Sequence, residues 1–317
     1  MQSFWGKLPK PFFALAPMED VTDAAFRRLI AKYGKPDVMF TEFTSADGLA
    51  RADEEGKKKL LKKLEYSESE RPIVAQLFTS NPEYMEAGAK LCAELGFDGF
   101  DINMGCPDRA VEKSGCGAAL IKNPALAREL IRAAKKSGLP VSVKTRIGYN
   151  SDELDTWLPE LLAEEPAAII IHARTRKEMS DVPARWDTIA RAVAIRDSSK
   201  SKTLIIGNGD VKDIAEARAK AAETKCDGVM LGCAIFGNPW LFVGRTEPPS
   251  REEKIQALIE HLVLFDELLG DTTNYATMKK HFKAYVSGWD GAKELRVKLM
   301  ETQFAKEAQQ VIQSVVF

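Results

Sequence analysis

The segments VSVKTRIG (141–148), AIIIHAR (168–174) and LIIGNGD (204–210) follow one another along the chain. Each is short, apolar and rich in β-branched residues, and the residues between them have the periodicity of helices. Strands that alternate with helices pair in parallel, because the crossover helix returns the chain to the same end of the sheet. This stretch therefore predicts consecutive β-α units.

Similar segments occur five more times, so that the chain holds eight, and their starts lie roughly 24 to 42 residues apart. The additional segments are FFALAPM (12–18), VMFTEF (38–43), IVAQLF (73–78), GFDINMGC (99–106) and GVMLGCA (228–234). Helix-period sequences separate them, and two of these helices begin with Asn-Pro and end at Gly. Eight units favour a closed (β/α)8 TIM barrel over an open doubly wound sheet.

The pattern changes after about residue 245, where PPS is followed by long helix-period segments without a strand signal. We therefore predict an α/β chain with two domains. Residues 1–247 form the barrel, and residues 248–317 form a small C-terminal helical domain.

Composition excludes several classes of function. The 45 Lys and Arg residues nearly cancel the 46 Asp and Glu residues, so a contact with nucleic acid must come from local patches. There is no leader sequence and no apolar run of about 18 residues, which predicts a cytoplasmic protein without a membrane partner. Five cysteines and three histidines are too few for a disulfide scaffold or a His-rich metal site. We expect a monomer that holds no metal.

Polar residues gather where the predicted strands end. In a barrel these ends form the catalytic face. A buried polar group without a partner costs about 1–3 kcal/mol, so we expect a ligand to pair with these side chains. The strand ends carry Ala16, Pro17, Met18, Glu42, Gln76, Asn103, Lys144, His172, Arg174, Asn208, Gly209, Asp210, Gly232 and Cys233.

Cys106 gives the strongest local signal. The fourth strand runs through Asn103 into Gly-Cys-Pro, which places a thiol on a rigid turn where it can act as a nucleophile or an acid. The alternative is a buried cysteine that only packs. Cys116, ten residues later in SGCGAAL, is a second candidate thiol.

The loops after strands seven and eight, GNGD and GCAIFGNPW, are rich in glycine. In barrels these two loops commonly hold a phosphate through backbone N–H groups. Tight turns into the next helices would explain the glycines equally well, although not Asn208 and Asp210. Lys144 and His172 could donate hydrogen bonds to an electron-rich ring system, whereas a histidine that is satisfied within the core is the alternative for His172.

Seven motifs in order amount to a resemblance: APMEDVTD (16–23), VAQLF (74–78), DINMGCP (101–107), VKTRIG (143–148), IHARTR (171–176), GNGD (207–210) and GNPWLF (237–242). Together they resemble the tRNA-dihydrouridine synthase family of flavoenzymes, over essentially the whole chain. HFKAYVSGWDGAKELRVKL (281–299) is also similar to the family's helical C-terminal domain.

The resemblance implies an FMN-dependent enzyme that reduces uridine in tRNA to 5,6-dihydrouridine. NADPH, or NADH in its place, would reduce the flavin, whose N5 passes hydride to C6 of the uracil while Cys106 donates a proton to C5. Asn103 and Arg174 would hold the uracil. The residues implied for FMN are Ala16, Pro17, Met18, Gln76, Lys144, His172, Asn208, Gly209, Asp210, Gly232 and Cys233.

A tRNA substrate requires basic surface, and three patches could supply it. They are Lys57, Lys58, Lys59, Lys62 and Lys63; Arg174, Arg176 and Lys177; and Lys279, Lys280, Lys283, Lys293, Arg296 and Lys298. Three alternatives remain open: reduction of ribosomal RNA, reduction of a free pyrimidine or small enone, and a non-enzymatic RNA-binding role.

The chain departs from the family at two places. Cys233 stands where the family usually has Arg after strand eight, which removes one charged partner for the FMN phosphate. The loop HARTRKEMSDVPARW (172–186) differs from the more common His-Gly-Arg form. Because this loop borders the substrate, it leaves the identity of the substrate more open than the chemistry.

Overall fold

The computed structural model describes residues 3–316 and contains eight parallel strands. Each of the eight strands overlaps a segment expected from the sequence, which confirms the predicted pattern, although β2 runs two residues past the predicted segment 38–43. The strands are β1 Phe12–Leu15, β2 Met39–Ser45, β3 Ile73–Phe78, β4 Gly99–Met104, β5 Val141–Arg146, β6 Ala168–His172, β7 Leu204–Asn208 and β8 Gly228–Leu231.

The sheet closes on itself. Its strand order is β1-β8-β7-β6-β5-β4-β3-β2, so β1 and β2 are the two ends of the row. These ends meet through backbone hydrogen bonds from Leu15 N to Val38 O (3.1 Å) and from Asp37 N to Phe13 O (2.9 Å). The expected (β/α)8 barrel is therefore confirmed.

Helices follow the strands and pack around the barrel. They are α1 Ala24–Gly34, α2 Ala46–Arg51, α3 Glu54–Lys63, α4 Pro82–Glu94, α5 Arg109–Lys113, α6 Pro124–Lys135, α7 Leu154–Leu162, α8 Asp187–Ser198 and α9 Ile214–Thr224. The Asn-Pro signals have a physical basis, because Asn81 and Asn123 accept hydrogen bonds from the first backbone N–H groups of α4 and α6.

The barrel interior is a small apolar cluster built from alternate residues of the strands. Side chains of a strand point to opposite faces in turn, so the interior residue Ile170 is followed two positions later by His172, and Ile206 by Asn208. The same alternation places apolar groups in the middle of the barrel interior and polar groups at the carboxyl ends of the strands.

Four helices complete the chain: α10 Arg251–Leu269, α11 Ala276–Tyr285, α12 Ala292–Glu301 and α13 Ala305–Val316. The last two helices correspond to one continuous helix-period segment in the sequence. Helix α10 packs against α1 of the barrel and against α13. The predicted domain limit at 247/248 falls before α10 and stays a prediction. Among residues 3–316, no helix is long and apolar enough to cross a membrane.

Candidate active site

A cavity of about 260 Å³ lies at the carboxyl ends of the strands. It collects eleven of the fourteen site residues predicted from the sequence, together with Ser180, Val211 and Met230. The eleven are Ala16, Pro17, Met18, Lys144, His172, Arg174, Asn208, Gly209, Asp210, Gly232 and Cys233. Strands β1 and β5 to β8 therefore supply one common site.

Lys144 is the main cationic donor in this cavity. Its Nζ donates to Asn208 Oδ1 (3.3 Å), and Asn208 Nδ2 donates in turn to Met230 O (2.8 Å). Burial, together with the nearby charge of Arg146, lowers the pKa of Lys144 to about 8. An ammonium group has three N–H donors, so Lys144 can serve Asn208 and a ligand at the same time.

His172 ends β6 as a neutral imidazole. Burial, followed by the charge of Lys144, lowers the pKa of His172 to about 2. Its Nε2 lies 3.2 Å from Arg174 Nη1. The guanidinium of Arg174 also donates to Val182 O and pairs with the Asp210 carboxylate. Arg174 therefore lines the cavity while it holds neighbouring loops, and its predicted contact with a uracil stays a prediction.

Gln76, Asn103 and Cys106 are linked beside the cavity rather than along its wall. Gln76 Nε2 donates to Asp101 Oδ2 (2.7 Å), and Asn103 Nδ2 donates to Gln76 Oε1 (3.0 Å). Asn103 Oδ1 then accepts from the N–H groups of Gly105 (3.1 Å) and Cys106 (2.9 Å). Gln76 thus orients Asn103, which in turn fixes the turn that carries the thiol.

The three thiols near the rim differ in their surroundings. Cys106 is partly exposed, and burial raises the pKa of its thiol, which keeps it protonated at neutral pH. Cys116 is buried, with Sγ 3.6 Å from Ser114 O. Cys233 is exposed at the first residue of a 3₁₀ turn after β8. Cys106 is therefore the protonated thiol that remains accessible beside the Gln76–Asn103 chain.

The loop after β7 needs its glycine. Gly209 has φ +130°, and a Cβ there would lie 2.7 Å from Ala184 Cβ. Asp210 accepts from Ala184 N (2.8 Å) as well as from Arg174. Tight packing against the loop after β6 accounts for Gly209 and Asp210, so the predicted phosphate contact at these residues remains a prediction.

Glu42 is the one polar strand end that lies outside this arrangement. The register between β2 and β3 shifts between Phe40 and Phe43, and such an irregularity re-aims side chains. Glu42 Oε1 accepts from Asp20 N (2.6 Å) and lines a separate cavity of about 270 Å³. The expectation that Glu42 shares the rim with the other strand ends is therefore not met.

Sequence reasoning missed two buried charged residues. Asp101 accepts from Ser142 Oγ (2.6 Å) and Gln76, and burial raises the pKa of Asp101 to about 6. Arg146 ends β5, two residues after Lys144, with its guanidinium on backbone carbonyls. Both residues could have been recognised from the sequence, because each is a charged residue in a largely apolar strand. The alternation of side chains places Asp101 and Arg146 on the interior face.

A closed parallel barrel with a thiol and buried donors at the carboxyl ends of its strands has the organisation of a barrel enzyme. The sequence matches the dihydrouridine synthase (Dus) family over residues 14–317. The chain belongs to this enzyme family.

Relatives of known name support this assignment. The chain is 43% identical over 313 residues to the "Probable tRNA-dihydrouridine synthase 2" of Bacillus subtilis strain 168, covering 98% of this chain and 96% of the relative. It is 42% identical over 313 residues to the "Probable tRNA-dihydrouridine synthase" of Staphylococcus aureus strain COL, covering 98% and 95%.

Two solved structures are similar in fold. A 2-naphthoyl-CoA reductase superposes with TM-score 0.55 at 11% identity, over 73% of this chain and 49% of that one. The histamine dehydrogenase from Rhizobium sp. 4-9 superposes with TM-score 0.53 at 14% identity, over 80% and 48%. At these identities the similarity shows the fold alone.

Proposed function

We propose that this chain reduces uridine in tRNA to 5,6-dihydrouridine, with FMN as the hydride carrier and NADPH as the reductant. Membership of the Dus family and the names of its relatives support the reaction and the tRNA substrate. The observation that carries the proposal is that a cavity lined with hydrogen-bond donors lies beside a protonated thiol. The neighbouring strands β4 and β5 connect the two. Asn103 and Lys144 are register partners in these strands.

The cavity suits the ring of FMN. Apolar groups from Ala16, Pro17, Met18 and Met230 form part of its wall, and Lys144, His172 and Asn208 bring hydrogen-bonding groups to it. A planar heteroaromatic ring needs this combination of apolar surface and a few convergent polar groups. Reduced FMN, when bound there, would supply the hydride that C6 of the uracil accepts.

Cys106 supplies the proton. Its raised pKa keeps the thiol protonated at neutral pH, so Cys106 Sγ–H can donate to C5 of the uracil as the hydride reaches C6. Asn103 fixes the Cys106 N–H, and Ala118 N donates to Cys106 O (2.9 Å). The donor atom is thus presented by a turn whose backbone is held from two sides.

RNA must bring the uridine out of its stack before the base can enter such a site, and contacts with phosphates repay part of that cost. The structure narrows the candidate lysines of the helical domain. Lys279 donates to Met300 O, and Lys280 pairs with Asp20. Lys283 is exposed on α11, and Lys293 and Lys298 are exposed on α12. We infer that these exposed lysines contact RNA phosphates.

The chemistry is tested by a flavin spectrum of the purified protein, anaerobic reduction with NADPH and reoxidation with unmodified tRNA, with dihydrouridine measured in the product. Wild type should reoxidise with tRNA and form dihydrouridine. Cys106→Ala should lose about 10²- to 10⁴-fold in rate while it keeps its flavin. Cys116→Ala is the matched control and should remain active.

Other outcomes contradict defined parts of the proposal. A protein without flavin would refute the cofactor. A flavin that NADPH reduces but tRNA does not reoxidise would refute the substrate, and the same assay with ribosomal RNA or free uridine would identify which alternative holds. A fully active Cys106→Ala protein that loses activity on Cys116→Ala would move the proton donor to Cys116.

The RNA contact is tested with Lys283→Glu and Lys298→Glu. Each should weaken tRNA binding and reduce the slope of log affinity against log salt, because one phosphate contact is lost. Lys200→Glu is the matched control, since Lys200 follows α8 at the opposite end of the barrel. Equal affinity in all three variants would show that RNA binds another surface.

A further inference from the structure

Arg146 is one of three buried arginines among residues 3–316, and it differs from the other two in its partners. Arg27 pairs with Glu70 at 2.7 Å, and Arg174 pairs with Asp210. Within the described part of the chain, Arg146 makes no ion pair. A buried charge without a counter-charge is costly, and such groups concentrate at functional sites.

Backbone carbonyls take the place of a carboxylate around Arg146. Its Nε donates to Gly105 O (2.8 Å), and its Nη1 donates to Thr175 O (3.1 Å) and Met179 O (3.0 Å). These carbonyl oxygens orient the guanidinium and accept from its Nε and Nη1, but they do not neutralise its charge. Burial accordingly lowers the pKa of Arg146 to about 10.

The nearest of these carbonyls belongs to the residue before Cys106. Gly105 packs directly on β5, where a Cβ would lie 3.2 Å from Thr145 Cα, so only a glycine lets this backbone lie so close to the strand that carries Arg146. The N–H groups of Gly105 and Cys106 are fixed by Asn103 on the other side. The thiol therefore sits on a turn that is held against a positive charge without an ion-pair partner, although Glu178 lies near Arg146. Two other charged groups also face the thiol: Lys144 lowers the pKa of Cys106, as Arg146 does, and Asp108 raises it. Both stay in place when Arg146 is substituted.

We propose that Arg146 is a positioning residue that holds the Cys106 turn and stabilises the thiolate that proton donation leaves on Cys106. This inference rests on the proposed role of Cys106 as the acid. In the step, the S–H bond breaks and a C–H bond forms at C5 of the uracil, while C6 takes the hydride from reduced FMN. The S–H electron pair stays on sulfur, and a proton from solvent restores the thiol before the next turnover.

Charge and geometry can be separated by two substitutions. Arg146→Gln keeps a donor for Gly105 O and removes the charge, whereas Arg146→Lys keeps the charge and loses the planar fork. The measurement is the rate at which iodoacetamide alkylates Cys106 as a function of pH, read by peptide mass spectrometry. Exposed Cys233 in the same molecule is the internal reference, and circular dichroism checks the fold.

The charge of Arg146 should make the Cys106 thiolate easier to form. Arg146→Gln should raise the Cys106 thiol pKa by about one unit, which slows alkylation about tenfold at a pH below that pKa. Arg146→Lys should stay within about twofold of wild type, and Cys233 should react equally in all three proteins. If Arg146→Gln does not fold, Arg146→His, neutral above about pH 7, gives the same comparison.

An alkylation profile of Cys106 that is the same in wild type and Arg146→Gln would overturn the inference. Equal slowing of Cys106 alkylation in Arg146→Gln and Arg146→Lys would also overturn it. The effect would then come from the planar guanidinium geometry and not from the charge. The proposed function fails separately, if Cys106→Ala still forms dihydrouridine at the wild-type rate. The alkylation rates report on Arg146 in either case.

Discussion

Two regions of the molecule contain histidine, half-buried in one and fully buried in the other. At the rim, His172 faces the cavity beside Lys144 and Arg174. At the seam between α1, α10 and α11, His261 and His281 lie 4.7 Å apart and pack on Phe26. Burial lowers the pKa of all three imidazoles, to about 2 for His172, to about 3 for His281 and well below the usual value for His261.

The difference lies in the neighbours. The ring of Phe26 stacks on His261 at 4.8 Å, and Tyr285 Oη lies 3.4 Å from His261 Nδ1. The other ring nitrogen of His261 and Nδ1 of His281 have no partner in the described structure. At the rim, by contrast, charged donors converge on a cavity. A lowered histidine pKa therefore marks burial, and only the convergent donors and the cavity mark a binding site.

The largest effect should come from opening the seam. Phe26 is fully buried against both histidines, so Phe26→Ala removes its packing and leaves a cavity, at a cost of about 4 kcal/mol in the free energy of unfolding. Urea denaturation measures this loss. Val297→Ala, at an exposed position on α12, is the control and should change stability by less than about 0.5 kcal/mol. A loss below about 1 kcal/mol in Phe26→Ala would show that the seam is not part of the core.

The rim should lose stability and function together. Asp101→Ala leaves Ser142 Oγ and Gln76 Nε2 without their acceptor, which costs about 3 kcal/mol. Because Gln76 orients Asn103, the dihydrouridine kcat should fall as well. Asp101→Asn retains an acceptor and should cost about half as much in urea denaturation. An unchanged kcat in Asp101→Ala would show that the hydrogen bonds linking Asp101, Gln76 and Asn103 are not needed for catalysis.

The seam should also make stability depend on pH. Folded His281 stays neutral to about pH 3, whereas an unfolded histidine titrates near about 6.5. Below pH 6.5 the unfolded chain binds more protons, so the free energy of unfolding falls as the pH falls, by about 2 kcal/mol per such histidine between pH 7 and pH 5.

His281→Leu should remove one such contribution from the difference in stability between pH 7 and pH 5. Urea denaturation at the two pH values measures it. Three other groups contribute to the pH dependence of both proteins, so their effects largely cancel in the comparison: His172, His261 and Asp23. Burial raises the pKa of Asp23 to about 6. The same drop in wild type and in His281→Leu would mean that His281 is not the group that titrates.

The fold was predictable because its signals are local. Segments such as AIIIHAR and LIIGNGD carry β-branched residues, and their last polar residues fall on the interior face by simple alternation. Most of the predicted rim residues therefore line one cavity. The polar strand end Glu42 was misplaced because an irregularity between Phe40 and Phe43 reverses the alternation, and the sequence carries no clear sign of that shift.

Partners between distant residues were not predictable in the same way. Nothing in the sequence says that Gln76 bonds to Asp101 and Asn103 instead of facing the cavity, since this depends on the register of β3 and β4. His281 directly follows Lys279 and Lys280 in the sequence, but its position on α11 turns it into the seam, where it is buried. Periodicity gives the face of an element, and only packing decides what that face meets.

The smallest effect should come from adding a charge to the rim at Cys233. This residue is exposed at the start of the turn after β8 and lines the cavity, so an arginine there can reach an anionic group without disturbing the core. An exposed ion pair contributes little, and Cys233→Arg should tighten FMN binding about fivefold with unchanged stability. Flavin fluorescence titration of the apoprotein measures it, with Cys233→Ser as the uncharged control. If Cys233→Arg and Cys233→Ser bind FMN equally, the FMN phosphate already contacts a positive charge elsewhere. The rim would then differ from the seam, because one of its lining residues could be substituted without a change in binding or stability.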